Sequence, residues 1–298
     1  MMKFIEKIRD LLYLSPLYDW LGKRSYAQSG EDLIAWGELA ERVPRCHSAT
    51  VSQDKGFYVD VGAYHPKLFS NTYLFYKKGW RGICVDPNPK MKELYRIARP
   101  RDVFLNVGVG AEESVTAMSA GRQVSPCHGE KGLQGDSLKA GMMEYFEFEE
   151  GAANTFSPEQ ARKNQEVGRK LIGKRMVPIL PLKKIFAKYL PKGQQIDLLS
   201  VDVEGMDLEV LKSNDWKKYR PRMIICEDLE FDLDNKLMRL HFDGQARGPA
   251  PTNKIPLDPL LTRGKQEGVG VVGFLMEKGY RLTAKTPYSL IFKGKTVE

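Results

Sequence analysis

The stretch Gly56-Phe57-Tyr58-Val59-Asp60-Val61-Gly62-Ala63 decides how this chain is read. Phe57–Val61 is a run of aromatic and β-branched residues, entered from Asp54-Lys55-Gly56, and it predicts a strand that ends beside a glycine. Beyond it, β-rich runs alternate with helical stretches, which is the signature of a parallel α/β sheet. Ser70-Asn71-Thr72 caps a helix carrying Tyr73, Leu74, Phe75 and Tyr76, and Gly79-Trp80 closes it. Residues 82–86 form the second strand. A helix through Met91, Leu94 and Ile97 follows Pro87 and Pro89, and residues 103–109 form the third strand. Residues 182–190 read as a helix and 196–201 as the fourth strand. Leu208, Val210 and Leu211 mark the next helix, and 223–226 the fifth strand. A helix over 271–278 and two runs, 280–283 and 289–292, end the pattern as an antiparallel pair.

Two stretches interrupt it. Residues 111–176 are rich in Gly, Ser and charge, and read as a long insertion, either a functional lid or a disordered loop. Arg162, Lys163, Arg169, Lys170, Lys174 and Arg175 concentrate positive charge there, and Phe146, Phe148 and Phe156 offer stacking faces. That combination predicts a segment holding a large or anionic acceptor, with solvated charge as the plainer alternative. A second insertion, at about 229–264, is rich in Pro and Asp. Before the strands, Phe4, Ile5, Ile8, Leu11 and Leu12 recur at helical spacing. Lys3, Glu6, Lys7, Arg9 and Asp10 interrupt any signal-peptide core. Residues 1–24 are therefore an amphipathic helical segment. It packs on its own domain, or docks on a membrane face or a second subunit.

Composition narrows the function. With 42% hydrophobic and 28% charged residues in 298, the chain is a globular protein rather than a disordered or collagen-like one. Its longest apolar runs are strand-sized, too short to cross a bilayer. A net charge of +8 fits a solvated basic surface, an anionic substrate or a membrane face. Nucleic acid is not expected as a partner, because no zinc finger, RNA-recognition signature or aromatic-interleaved basic stripe is present. Cys84 and Cys226 lie in apolar runs and read as buried thiols of a reduced compartment, hence a cytoplasmic protein. Cys46-His47 and Cys127-His128 lack ligand spacing, which rejects zinc.

Open α/β sheets bind ligands outside the carboxyl ends of their strands. Here Asp60, Asp86, Asp202 and the pair Glu227-Asp228 close four of the first five strands. Each alone could be a helix cap; together they suggest a site. Gly62 stands alone, without G-x-G-x-x-G, so a pyrophosphate cofactor does not fit. A nucleoside without pyrophosphate does, with Gly62 admitting its approach and Asp86 chelating a ribose diol.

These residues carry a resemblance. The run from Gly56 to Ala63, then Ser70-Asn71-Thr72, Gly79-Trp80-Arg81-Gly82-Ile83 and Asp86-Pro87-Asn88-Pro89, resembles the FkbM family of S-adenosylmethionine-dependent methyltransferases. Residues 196–211, with Asp202-Val203-Glu204-Gly205, resemble that family's second signature block. Tyr26-Ala27-Gln28-Ser29-Gly30-Glu31-Asp32 and Asn154-Thr155-Phe156-Ser157 are similar to shorter ones. The resemblance implies a class I, Rossmann-like methyltransferase domain over residues 25–298. Its mostly parallel seven-stranded sheet would have order 3-2-1-4-5-7-6, with strand 7 antiparallel and helices on both faces. It implies S-adenosylmethionine as cofactor and methyl transfer to a hydroxyl, on a sugar of a glycan, glycolipid or glycosylated natural product. Asp60 and Gly62 would then lie along the methionine part, Asp86 on the ribose with Asn88 nearby, and Asn106 and Val107 beside the adenine. Gln28 and Glu31 would close over the cofactor, and Asp202 would border it.

A sugar hydroxyl is a poor nucleophile until a base or a cation draws off its proton. Glu204, His241 and His65 are the candidate bases. Asp202, Glu227 and Asp228 end neighbouring strands, about 4.8 Å apart in this kind of sheet. They offer an alternative, an oxygen site for Mg²⁺. Two other functions stay open: a binding protein that keeps the fold without catalysis, and N-methylation. The latter is disfavoured because strand four lacks an Asp/Asn-Pro-Pro-Tyr/Phe motif.

Overall fold

The computed structural model describes residues 25–40, 56–111, 122–124, 138–228 and 270–294, together with Leu12 and Ser15. Its first half supplies α1 (Glu31–Ala40), β1 (Phe57–Val61), α2 (Tyr73–Lys77), β2 (Arg81–Val85), α3 (Met91–Ala98), β3 (Val103–Leu105) and β4 (Gly108–Val109). There follow β5 (Arg122–Val124), β6 (Leu138–Phe148), a 3₁₀ turn (Gly151–Ala153), α4 (Pro158–Glu166), β7 (Leu171–Leu180) and α5 (Leu182–Tyr189). The last are β8 (Leu198–Val201), α6 (Asp207–Lys212), β9 (Met223–Glu227), α7 (Val271–Glu277), β10 (Tyr280–Lys285) and β11 (Ser289–Gly294).

β1 sits at the centre of a seven-stranded sheet in the order β3-β2-β1-β8-β9-β11-β10. All pairs are parallel except those of β11, which runs antiparallel to β9 and β10. Labelled along the whole chain, this departs from 3-2-1-4-5-7-6, because β4 to β7 belong to a second sheet. Counting only the strands of the large sheet recovers that order. The apolar run of β1 has a physical cause. Phe57, Val59 and Val61 pack into the layer with α5, α6 and α7, while Tyr58 packs into the layer with α1, α2 and α3. A strand covered on both faces has no polar side to show.

Two expectations need correction. The predicted third strand, 103–109, is two strands in two sheets. The break falls at Asn106, whose side-chain amide donates to the Asp86 carbonyl at 2.8 Å, and β4 then pairs with Ile179 and Leu180 of β7. The stretch read as a lid or loop also has regular structure where it is described. β5, β6 and β7 form an antiparallel ribbon, and α4 starts at Ser157, whose side chain accepts from the Gln160 N–H. Its charge is balanced as well. Arg162 pairs with Glu166, Lys163 with Glu159, Arg169 with Glu150, Lys174 with Glu144, and Arg175 with Glu147. The ribbon lays the acidic run of β6 opposite the basic run of β7, helix spacing pairs Arg162 and Lys163, and Arg169 meets Glu150 just beyond the ribbon's end. Phe146, Phe148 and Phe156 are buried in the ribbon's own core rather than presented as stacking faces.

The ribbon leans on the loops leaving β1 and β2. Arg175 donates to the Pro87 carbonyl at 2.6 Å, and a Cβ added to Gly151 would lie 3.5 Å from the Tyr64 ring. Cys84 and Cys226 are buried and free, as expected. No helix among the described residues is long and apolar enough to cross a membrane. The N-terminal amphipathic segment (apart from Leu12 and Ser15), the Cys46-His47 and Cys127-His128 pairs, and His241 lie outside the described residues.

Candidate functional site

The site is built where β1 and β8 stop. Gly62 has φ +77°, and a Cβ there would stand 1.7 Å from the Asp202 carbonyl oxygen. The crossing is held by Gly62 N–H donating to the Val85 carbonyl and Asp202 N–H donating to the Val61 carbonyl, each at 2.9 Å. Only glycine lets these backbones meet, so its place at the end of the deciding stretch is a packing requirement first. Asp60, on the same strand, is buried and turned towards α2. It accepts from the Thr72 hydroxyl, while Asn71 donates to Ser200 at 3.1 Å. Behind Thr72 lies Arg99, fully buried, donating to Thr72 at 2.9 Å and to Asp102 at 2.7 Å. Burial raises the Asp60 carboxyl, with Arg99 opposing. Asp60 thus ties β1 to the start of α2.

On one side of that crossing lies a polar set of strand-end residues. The Asp86 carboxylate accepts from the Tyr64 N–H at 2.9 Å and the Asn88 N–H at 2.7 Å, and burial pushes it up to about 6. Asn88 accepts from the Lys90 N–H, and Asn106 donates to the Asp86 backbone. Val107 is in the core, so only its backbone could border a ligand. Asp86 is buried, at 6% exposure, beneath the loops that follow β1 and β2. Glu31 is buried too, accepting from the Ser29 N–H at 2.8 Å and the Thr286 hydroxyl at 2.6 Å, whereas Gln28 is exposed.

On the other side, Asp202, Glu204 and Glu227 each bring a carboxylate oxygen within 4.8 Å of the other two. The expected trio held Asp228 instead. Asp228 follows the end of β9 and lines the adjoining cleft without joining the group. Glu204 follows β8 with φ +53°, which turns it back towards the group. The crowding shows in the acidities. Burial, then Asp60 and Glu31, push Asp202 up to about 6, although it still reaches solvent. Burial and Asp202 push Glu204 up to about 7, with Arg169 opposing. Burial, then Asp202, Glu204 and Asp207, push Glu227 up to about 10. Asp207, which nothing in the sequence pattern singles out, is buried and accepts from the Glu227 N–H at 3.0 Å.

A cleft of roughly 490 Å³ opens beside this group. Ser157, Gln160, Gly205, Glu227, Asp228 and Gly270 are among its lining residues, so the second insertion leaves and rejoins the described structure at its wall. His65 does not join. Its Nδ1 accepts from the Lys67 and Leu68 N–H groups at 3.1 and 3.0 Å, which keeps the proton on Nε2 and makes the ring a donor rather than a base. Residues 60–282 match the family described as methyltransferase FkbM domain. No curated protein and no solved structure matches the chain.

Proposed function

We propose that this chain, which belongs to the FkbM family of methyltransferases, methylates a hydroxyl group from S-adenosylmethionine. The observation carrying the reading is the carboxylate group Asp202, Glu204 and Glu227 beside a cleft, one strand end away from the Asp86, Asn88 and Asn106 set. That second set suits a nucleoside. Each Asp86 oxygen has one backbone donor and keeps a lone pair for a ribose hydroxyl, and the Asn106–Val107 backbone borders the base. Gly62 lines the path between, and Glu31 and Gln28 lie at the start of α1, where they close over the methionine end. When bound, the cofactor supplies an electrophilic sulfonium methyl.

Glu204 takes the proton of the acceptor hydroxyl. A carboxyl near 7 is poised to accept a proton at neutral pH, as a general base must be. Glu227, held protonated, donates a hydrogen bond to the acceptor instead. The acceptor is a sugar of a glycan, glycolipid or glycosylated product, the class that the family resemblance implies. Its charge is read differently from the sequence expectation. Arg162, Lys163, Arg169, Lys174 and Arg175 of the insertion are ion-paired, and the cleft shows Glu159, Glu209 and Asp228 against Lys163, itself tied to Glu159. Such a wall favours a neutral polyol over an anion.

A second reading rests on the same group. Three carboxylate oxygens within 4.8 Å are a donor set suited to Mg²⁺, a hard cation, and Asp202, Glu204 and Glu227 would hold it. Calorimetric titration with S-adenosylmethionine tests the cofactor: no binding at millimolar concentration rejects the proposal. Turnover in EDTA then separates base from cation.

A further inference from the structure

The block Asn154-Thr155-Phe156-Ser157 is not used by the reading above. Its centre is Thr155, which is 1% exposed. The backbone of Thr155 is stitched to β6 in both directions: the Phe146 N–H donates to the Thr155 carbonyl at 2.8 Å, and the Thr155 N–H donates to the Phe146 carbonyl at 3.2 Å. The side chain faces the other way. The Thr155 hydroxyl donates to the Glu204 carbonyl at 2.7 Å and accepts from the Ser157 N–H at 2.9 Å. A carbonyl cannot donate and an amide N–H cannot accept, so the direction of both bonds is fixed.

The carbonyl it holds belongs to a strained residue. Glu204 has φ +53° and Gly205 φ +93°, so the chain makes two consecutive left-handed steps after β8. A non-glycine residue stays in that region only where its surroundings over-determine it. α4 packs the far side of the turn, where a Cβ on Gly205 would come within 3.3 Å of the Gln160 Cβ. Thr155 is the hydrogen-bonding half of the clamp. The outcome is a Glu204 carboxylate placed among Asp202 and Glu227.

We infer that Thr155 is a positioning residue of the transfer reaction: by donating its hydroxyl proton to the Glu204 carbonyl, it holds the left-handed turn that aims the Glu204 carboxylate at Asp202 and Glu227. This rests on the reading that Glu204 serves methyl transfer, and it holds whether Glu204 takes a proton or shares a cation. The bond also ties the turn to the ribbon, because Thr155 is part of the β6 bridge.

The experiment measures S-adenosylhomocysteine release by the full chain with S-adenosylmethionine and simple methyl glycosides as probe acceptors. Thr155→Val keeps the shape and removes the donor. The expected result is a fall in kcat of about tenfold to a hundredfold, the loss that a roughly 1 Å misplacement causes. The KM for S-adenosylmethionine stays within about twofold, and Thr155→Ser, which keeps the hydroxyl, restores most of kcat. In a Glu204→Gln background, Thr155→Val should add little further loss, because both changes remove the same aimed group. An unchanged kcat in a folded Thr155→Val protein, or the same factor of loss in both backgrounds, overturns the inference alone. Full turnover by Glu204→Gln overturns the base assignment and the inference with it. Should Thr155→Val not melt cooperatively, Thr155→Ala is carried through the same comparison, with the same results deciding.

Discussion

Replacing Gly62 by alanine puts the new Cβ 1.7 Å from the Asp202 carbonyl oxygen, where real contacts begin near 3.0 Å. The ends of β1 and β8 must part by the difference, 3.0 − 1.7 = 1.3 Å. That opening removes the Asp202–Val61 hydrogen bond between the two strands, now 2.9 Å, at about 1–2 kcal/mol in a buried setting. Holding φ near +77° adds about 1 kcal/mol for a residue with a Cβ. The total is about 2–3 kcal/mol, a sizeable share of a domain's stability and equivalent to roughly 4–12 °C in melting temperature. Gly30→Ala is the control. Its φ is +87°, but nothing lies within 4 Å of the added carbon, so it should lose only the conformational part, about 1 kcal/mol. The assay is urea unfolding followed by both fluorescence and circular dichroism, with coincident curves as the two-state check. Equal losses for the two variants, or a Gly62→Ala loss under about 1 kcal/mol, would refute the argument that this glycine is fixed by the strand crossing.

Other outcomes follow from the same geometry. Asp86→Asn should raise the Kd for S-adenosylmethionine about tenfold or more by calorimetry. Asp86→Ala should in addition lower the melting temperature, because the Tyr64 and Asn88 N–H groups lose their acceptor; a Kd unchanged in Asp86→Asn would remove Asp86 from the cofactor site. Asp202, Glu204 and Glu227 all titrate higher folded than unfolded, so the native state holds more protons than the unfolded chain between pH 4.5 and 7. Their contribution to stability is therefore full at low pH and lost as pH rises through about 7 for Glu204, and melting scans from pH 5 to 8 should slope less in Glu204→Gln. If Glu204 is the base, kcat rises with pH through about 7 and survives EDTA; if the three carboxylates hold Mg²⁺, EDTA abolishes turnover while calorimetry shows the cofactor affinity unchanged.

What the sequence determined is what neighbours along the chain determine. The continuous apolar run of β1 announced a strand covered on both faces, and the acids at the ends of β1, β2, β8 and β9 marked the end of the sheet where the carboxylates gather. A strand's ends and a helix's period are local properties, so they could be read without the fold. Which side chains meet was decided only in three dimensions. Asp228 looked as good as Glu204 on paper, yet a left-handed turn at Glu204, clamped by Thr155 from 49 residues away, brought one in and left the other out. The basic run of β7 looked like an anion trap until the ribbon's register set Glu144 and Glu147 against Lys174 and Arg175. Asp86 was legible as a strand-end acid, but the loops at Tyr64 and Asn88 that fold over it and bury it were not. Each of these rests on the pairing of distant segments. No local pattern encodes that pairing, because its energy is settled only when the two segments are already in contact.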